Sequence, residues 1–130
     1  MAGTPSAPID VVRAFLAAMK IKDYDTGLRY ISSDCEYDNV PLGRVQGPAG
    51  VRGVLEPFFA PTLENEFLVL REVADGPIVF MERLDRHRLA NGWVELPVTG
   101  VWEVHGGLIT VWHDYFDAAT ILRKWPAPAV

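Results

Sequence analysis

Arg83-x-Asp85 and Asp114 are the residues of this chain best suited to acid–base chemistry. The run Phe80-Met81-Glu82-Arg83-Leu84-Asp85-Arg86 reads as a β-strand with much of its surface buried. Strand side chains alternate faces, so Val79, Met81, Arg83 and Asp85 share one face, which passes from apolar into a cation and a carboxylate. Downstream, Leu108 to Phe116 repeats the pattern, with Trp112 and Asp114 on one face. In a common sheet the arginine can sit between two carboxylates at the edge of an apolar surface. Two carboxylates bridged by one cation are not equivalent: the one that is desolvated or shares a proton moves toward the neutral acid, while the other stays ionised. One can then donate a proton while the other takes one from water, which suits addition of water to a strained, weakly basic electrophile such as an epoxide.

The competing reading is a solvated ion pair at a strand end, worth about 0–1 kcal/mol. Against it stands the apolar character of the same faces, since charges that follow buried residues line pockets more readily than open water. Burial would oblige the carboxylates to pair. Tyr37 and Asn39 share a face of a short predicted strand and offer a hydroxyl and an amide, enough to fix a water beside a carboxylate. A packing role for Tyr37 is the alternative, and Trp112 reads first as a core residue with its N–H as a polar handle. His87, His105 and His113 show no metal-binding spacing and read as sheet or rim histidines. Ser32, Ser33 and Cys35 have no neighbouring base in sequence, and the glycines between Gly43 and Gly53 lack the spacing of a phosphate loop.

The elements that must position these groups can be read from periodicity. At 130 residues the chain is expected to form one domain over 1–130, with residues 1–7 and 126–130 as frayed tails. A net charge of −5 with scattered basic residues speaks against nucleic acid. One cysteine excludes an internal disulfide and a cysteine-rich zinc site. No signal peptide and no apolar run of membrane-spanning length is read, so a cytoplasmic protein is expected. From Pro8, the apolar stripe Ile9, Val12, Phe15, Leu16, Met19 predicts an amphipathic helix. A second helix is expected from an Asp25 cap to Ser32, then a strand over 35–40 and a loop over 42–50. A third helix should open at Pro48 and end or kink near Pro57. Four strands, roughly 66–74, 77–89, 93–105 and 108–117, are joined at Asp75-Gly76, Asn91-Gly92 and Gly106-Gly107. A short helix over 118–125 follows. Helices first and a meander afterwards define an α+β fold: a curved sheet covered by helices, a cone with an internal pocket.

Tyr37-x-Asn39 followed by Pro41, Arg83-x-Asp85, and Trp112-x-Asp114-Tyr115-Phe116-Asp117 resemble, in order and approximate spacing, the limonene-1,2-epoxide hydrolase family over residues 8–125. The resemblance implies a cone-shaped α+β fold like nuclear transport factor 2, with a curved, largely antiparallel (mixed) sheet. It implies no cofactor and no metal, a homodimer, and an epoxide and water as substrates. It further implies Asp114 as the base that activates water, Tyr37 and Asn39 as its holders, Asp85 as the acid, Arg83 as the bridge and Trp112 as a pocket wall. A vicinal trans-diol would form in one step. Asp38 departs from the pattern by adding a negative charge, which alternation should turn outward. Alternation and position suggest Leu42, Val51, Leu55, Phe58, Met81, Leu96, Val98 and Phe116 as pocket lining for a terpene-like, cycloalkene or lipid-derived epoxide. Two other readings remain open on such a cone: another reaction (isomerase, dehydratase or polyketide cyclase) and a non-catalytic small-molecule binding module.

Overall fold

A computed structural model describes residues 7–126; the expected tails fall outside the described residues at positions 1–6 and 127–130. Helix α1 spans Pro8–Lys20, with Pro8 in its first turn, where a missing N–H costs nothing. Its buried stripe includes Val11, Val12, Phe15, Leu16 and Met19. Helix α2 is a single turn, Tyr24–Gly27, capped by Asp23, whose carboxylate accepts from the Thr26 N–H at 3.2 Å. A 3-10 turn, Leu28–Tyr30, leads into strand β1, Ile31–Asn39.

The expected helix from Asp25 to Ser32 is therefore too long. Its cap is Asp23, and Ile31 and Ser32 already belong to a strand. The reason is packing: a Cβ on Gly27 would stand 2.3 Å from Met19 Cε, so the segment lies flat against α1 and soon turns away. A second correction concerns the expected loop over 42–50. Gly43–Gln46 forms strand β2, antiparallel to the end of β1, and helix α3 follows directly over Gly47–Phe59, with Pro57 inside its last turn.

Strands β3 (Glu64–Asp75), β4 (Ile78–Leu89), β5 (Gly92–His105) and β6 (Leu108–Tyr115) form the antiparallel meander, and α4 (Ala118–Lys124) closes the described chain. The sheet order is β2-β1-β6-β5-β4-β3, with β1 and β6 parallel, so the sheet is mixed. Register irregularities in the β3–β4, β5–β6 and β1–β6 pairs mark bulges, which bend strands and add curvature. Strand β4 alternates almost perfectly: Val79, Met81, Arg83, Asp85, His87 and Leu89 are buried, and their neighbours are not. The inner face carries the main core, in which α1 packs Phe15 edge-on against Trp102 and Trp112. Fully burying a side chain such as Phe15 or Met19 contributes roughly 1.5–3 kcal/mol.

Candidate active site

Arg83 and Asp85 reach the inner face two residues apart on β4, and Asp114 reaches it from β6, with β5 between them. Arg83 donates from Nε to Asp85 Oδ1 at 3.0 Å and from Nη2 to Asp85 Oδ2 at 3.1 Å, a forked contact. Across β5 the same guanidinium donates to Asp114 at 3.4 and 3.2 Å. The Arg83 side chain is 1% exposed and the two carboxylates 9% each, so the solvated surface pair is excluded. The bridge spans β5 because the position beneath it is Gly100: a Cβ there would stand 2.5 Å from Arg83 Nη1 and 2.9 Å from Asp114 Oδ1. The guanidinium also lies over the Trp102 ring, 5.9 Å from its centroid.

Asp114 accepts a third hydrogen bond, from Trp112 Nε1 at 2.8 Å. Burial pushes its carboxyl above the usual range, opposed by the Arg83 charge and by donors that favour the carboxylate. Burial alone would lower the Arg83 pKa, but the two carboxylates outweigh it and hold the guanidinium charged. In the parallel register Tyr37 lies opposite Trp112 and Asn39 opposite Asp114. The Tyr37 and Trp112 rings stack at 3.9 Å, and the Tyr37 hydroxyl donates to Asn39 Oδ1 at 3.1 Å. Burial first, and Asp114 second, push the Tyr37 hydroxyl far above its usual value, so it stays protonated. Asp38 turns outward and accepts from Arg44 at 3.3 Å. It does not compete for Arg83.

These groups line a cavity of about 180 Å³. Leu42, Leu55, Phe58, Leu96, Val98, Trp112 and Phe116 line it together with Tyr37, Asn39, Arg83, Asp85 and Asp114. Met81 and Val51, expected among the lining, are instead fully buried in the main core, Val51 on α3. Alternation assigns Met81 a face, but α1 covers that end of the face.

The sequence reading missed Leu16 and Met19 from α1, Phe59 and Val54 from α3, Phe67 from β3 and Ile121 from α4. Of the two alternatives given for His87, sheet or rim, the structure shows the first, on β4, and adds what the reading did not give: the side chain is 1% exposed and lines the pocket. The signal was available, since His87 follows Asp85 by two and continues the Arg83 face. His105 and His113 do lie away from the pocket, against Glu103 and Glu36. Burial pushes the Cys35 thiol up to about 12, which leaves it inert as a nucleophile. No group of three or more His, Cys, Asp or Glu that could hold a metal ion occurs among the described residues. Nor is any helix there long and apolar enough to cross a membrane.

A helix-covered, curved mixed sheet of this order is a nuclear transport factor 2-like fold, here with a buried carboxylate–arginine–carboxylate bridge facing its pocket. The family model of the limonene-1,2-epoxide hydrolase catalytic domain matches residues 6–127. Epoxide hydrolase EphG of Mycobacterium tuberculosis is 36% identical over 112 residues, 86% of this chain and 74% of that protein. A solved structure of an M. tuberculosis LEH-like epoxide hydrolase superposes with a TM-score of 0.77 at 34% identity, covering 89% of this chain and 86% of that one. A putative SnoaL-like polyketide cyclase from Shewanella denitrificans superposes at 0.81 with 16% identity, covering 90% and 95% of the two chains, and shows the fold alone. The chain belongs to the limonene-1,2-epoxide hydrolase family. It is an epoxide hydrolase.

Proposed function

We propose that the protein adds water to an apolar epoxide in one displacement, without cofactor or metal, to give a vicinal trans-diol. The observation that carries this reading is the buried Asp85–Arg83–Asp114 bridge facing a largely apolar cavity.

Asp114 is the base and Asp85 the acid because of their neighbours. Asn39 and Tyr37 flank Asp114 from β1, whereas Asp85 lies between Phe67 on β3 and Leu96 on β5, both lining residues. Water therefore belongs beside Asp114 and the epoxide oxygen beside Asp85. With the Tyr37 hydroxyl committed to Asn39 Oδ1, its oxygen is left to accept one proton of the water. Asp114 accepts the other, the Asn39 amide donates to one lone pair, and the second lone pair is free to attack. As the new C–O bond forms with inversion, the epoxide C–O bond breaks. Asp114 takes the water proton and Asp85 delivers one to the departing oxygen. Every proton and electron pair is accounted for by these two carboxylates and the water.

Burial and the mutual repulsion of the two carboxylates favour one shared proton in the pair, against the opposing charge of Arg83, and the reaction calls on Asp85 to deliver it. The apolar lining suits terpene-like, cycloalkene or lipid-derived epoxides. The same reading includes a cytoplasmic homodimer. Val73, Phe80 and Leu68, exposed on the outer face of the sheet, support a self-association surface, and the lone free thiol suits a reducing compartment.

Hydrolysis of limonene oxide and cyclohexene oxide in ¹⁸O-water under single turnover tests the mechanism. Label in the first-turnover diol is expected. Unlabelled first-turnover diol would mean a carboxylate ester and refute direct water attack.

A further inference from the structure

His87 is a buried, pocket-facing imidazole that the acid–base mechanism does not use. Its hydrogen-bond polarity can be traced from a fixed end. The Phe59 carbonyl can only accept, and the Thr62 hydroxyl donates to it at 2.7 Å. Thr62 Oγ1 therefore accepts from the Asn65 amide nitrogen, at 2.9 Å. That orients Asn65 Oδ1 toward His87 Nδ1, at 2.7 Å, so Nδ1 carries the ring proton. Nε2 is then a bare lone pair.

Nε2 has no partner among the described residues. Among the described residues, the partnerless polar side-chain atoms that are sealed from solvent are Glu72 Oε2 and Trp102 Nε1, and His87 Nε2 is not one of them. As the residue lines the pocket, that lone pair opens into it. Phe58, Phe59, Phe67 and Trp125 surround the ring and hold it in place. Burial, reinforced by the Arg83 charge, holds the imidazole neutral down to about pH 4.

We propose that His87 is a specificity-determining acceptor that selects epoxides bearing a hydroxyl group remote from the oxirane. The inference rests on the acid–base reading for the position of the epoxide oxygen at Asp85. Residues i and i+2 of a strand stand roughly 6–7 Å apart on one face, so a separation of that order is expected between the oxirane oxygen and the hydroxyl. An apolar substrate that displaced water from Nε2 would leave a buried acceptor unpaired, whereas a hydroxylated one restores the bond.

The 8,9-epoxides of limonene and of 7-hydroxylimonene differ by one hydroxyl at about this separation. Their kcat/KM ratio is to be measured for wild type, for His87→Leu, and for His87→Leu/Asn65→Leu, which leaves no orphaned Asn65 acceptor. Dissociation constants for the same pair on Asp114→Asn, with and without His87→Leu, give a readout independent of turnover. A wild-type preference for the hydroxylated epoxide on the order of tenfold is expected, falling to about one in both His87 variants, with binding ratios that follow. No wild-type preference, or one that survives in either variant, overturns the proposal. If neither epoxide is hydrolysed, the acid–base reading fails for these substrates, and the binding ratios alone decide the role of His87 by the same criterion.

Discussion

Replacing Gly100 by alanine adds one methyl group at the point where the Arg83–Asp114 bridge crosses β5. Gly100 has no left-handed backbone angle, so the exchange introduces no backbone strain. In open space it would even stabilise slightly, by about 0.4–1 kcal/mol, through the unfolded chain. The methyl carbon would stand 2.5 Å from Arg83 Nη1, 2.9 Å from Asp114 Oδ1 and 3.0 Å from Trp102 Nε1. Ordinary contact begins at about 3.4 Å, so the guanidinium must withdraw by about 0.9 Å. The contact from Nη1 to Asp114 is already 3.4 Å, and it would be lost. Overpacking of this kind costs about 1–3 kcal/mol, and misplacing reacting groups by about 1 Å costs about 10² in rate. Thermal unfolding and kcat/KM on limonene oxide read the two effects. Gly53→Ala is the control, because its Cβ would meet nothing within 4 Å, and it should gain up to about 1 kcal/mol without losing activity. A Gly100→Ala protein with wild-type melting temperature and rate would show that the bridge is not confined by β5, and the steric reasoning would fall.

Asp85→Asn should keep the fold and lose about 10²–10⁴ in rate, as measured by diol formation; near-normal turnover would remove Asp85 from the proton path. Arg83→Ala should abolish activity and destabilise by about 3–5 kcal/mol in urea unfolding, because two buried carboxylates lose their cation; a stable, active variant would mean the three residues are not a unit. His87 titrates at about 4 in the folded protein against 6.5 ordinarily, so between these values the unfolded chain binds the extra proton and stability falls as pH falls. The interval corresponds to about 3 kcal/mol, fully lost below about pH 4, and the urea midpoint of wild type should fall relative to that of His87→Leu as pH drops from 7 to 4.5; parallel curves would contradict a neutral buried imidazole.

Strands β3 to β6 could be read closely because three glycine-containing turns punctuate them and period two assigns faces. Gly76 and Gly106 adopt φ of +56° and +58°, the left-handed turn geometry that glycine favours. Arg83, Asp85, Asp114, Tyr37 and Asn39 converge because each lies on the inward phase of its strand. What alternation cannot give is depth. Met81 and His87 share a face with Arg83, yet α1 covers the first and the cavity opens at the second. Leu16 and Met19 show the same limit in a helix, where one apolar stripe serves both core and pocket. The short length of α2 and the strand β2 were illegible for another reason: Gly27 is fixed by contact with Met19, and β2 by pairing with β1, neither of which leaves a local period.

The reach of Arg83 over β5 has a consequence for how the molecule comes to life. Asn39, Arg83 and Asp114 are far apart in sequence and meet only when β1, β4, β5 and β6 are zipped together. The parallel β1–β6 pairing closes a long loop and is the entropically costly contact, so it belongs late in assembly. Charges are not withdrawn from water ahead of their partners, so the bridge locks only when both strands flank β5. Hydrolysis is thus a gauge of complete sheet closure. A refolding chain that already has its helices and central hairpins would remain silent until the last strand is seated.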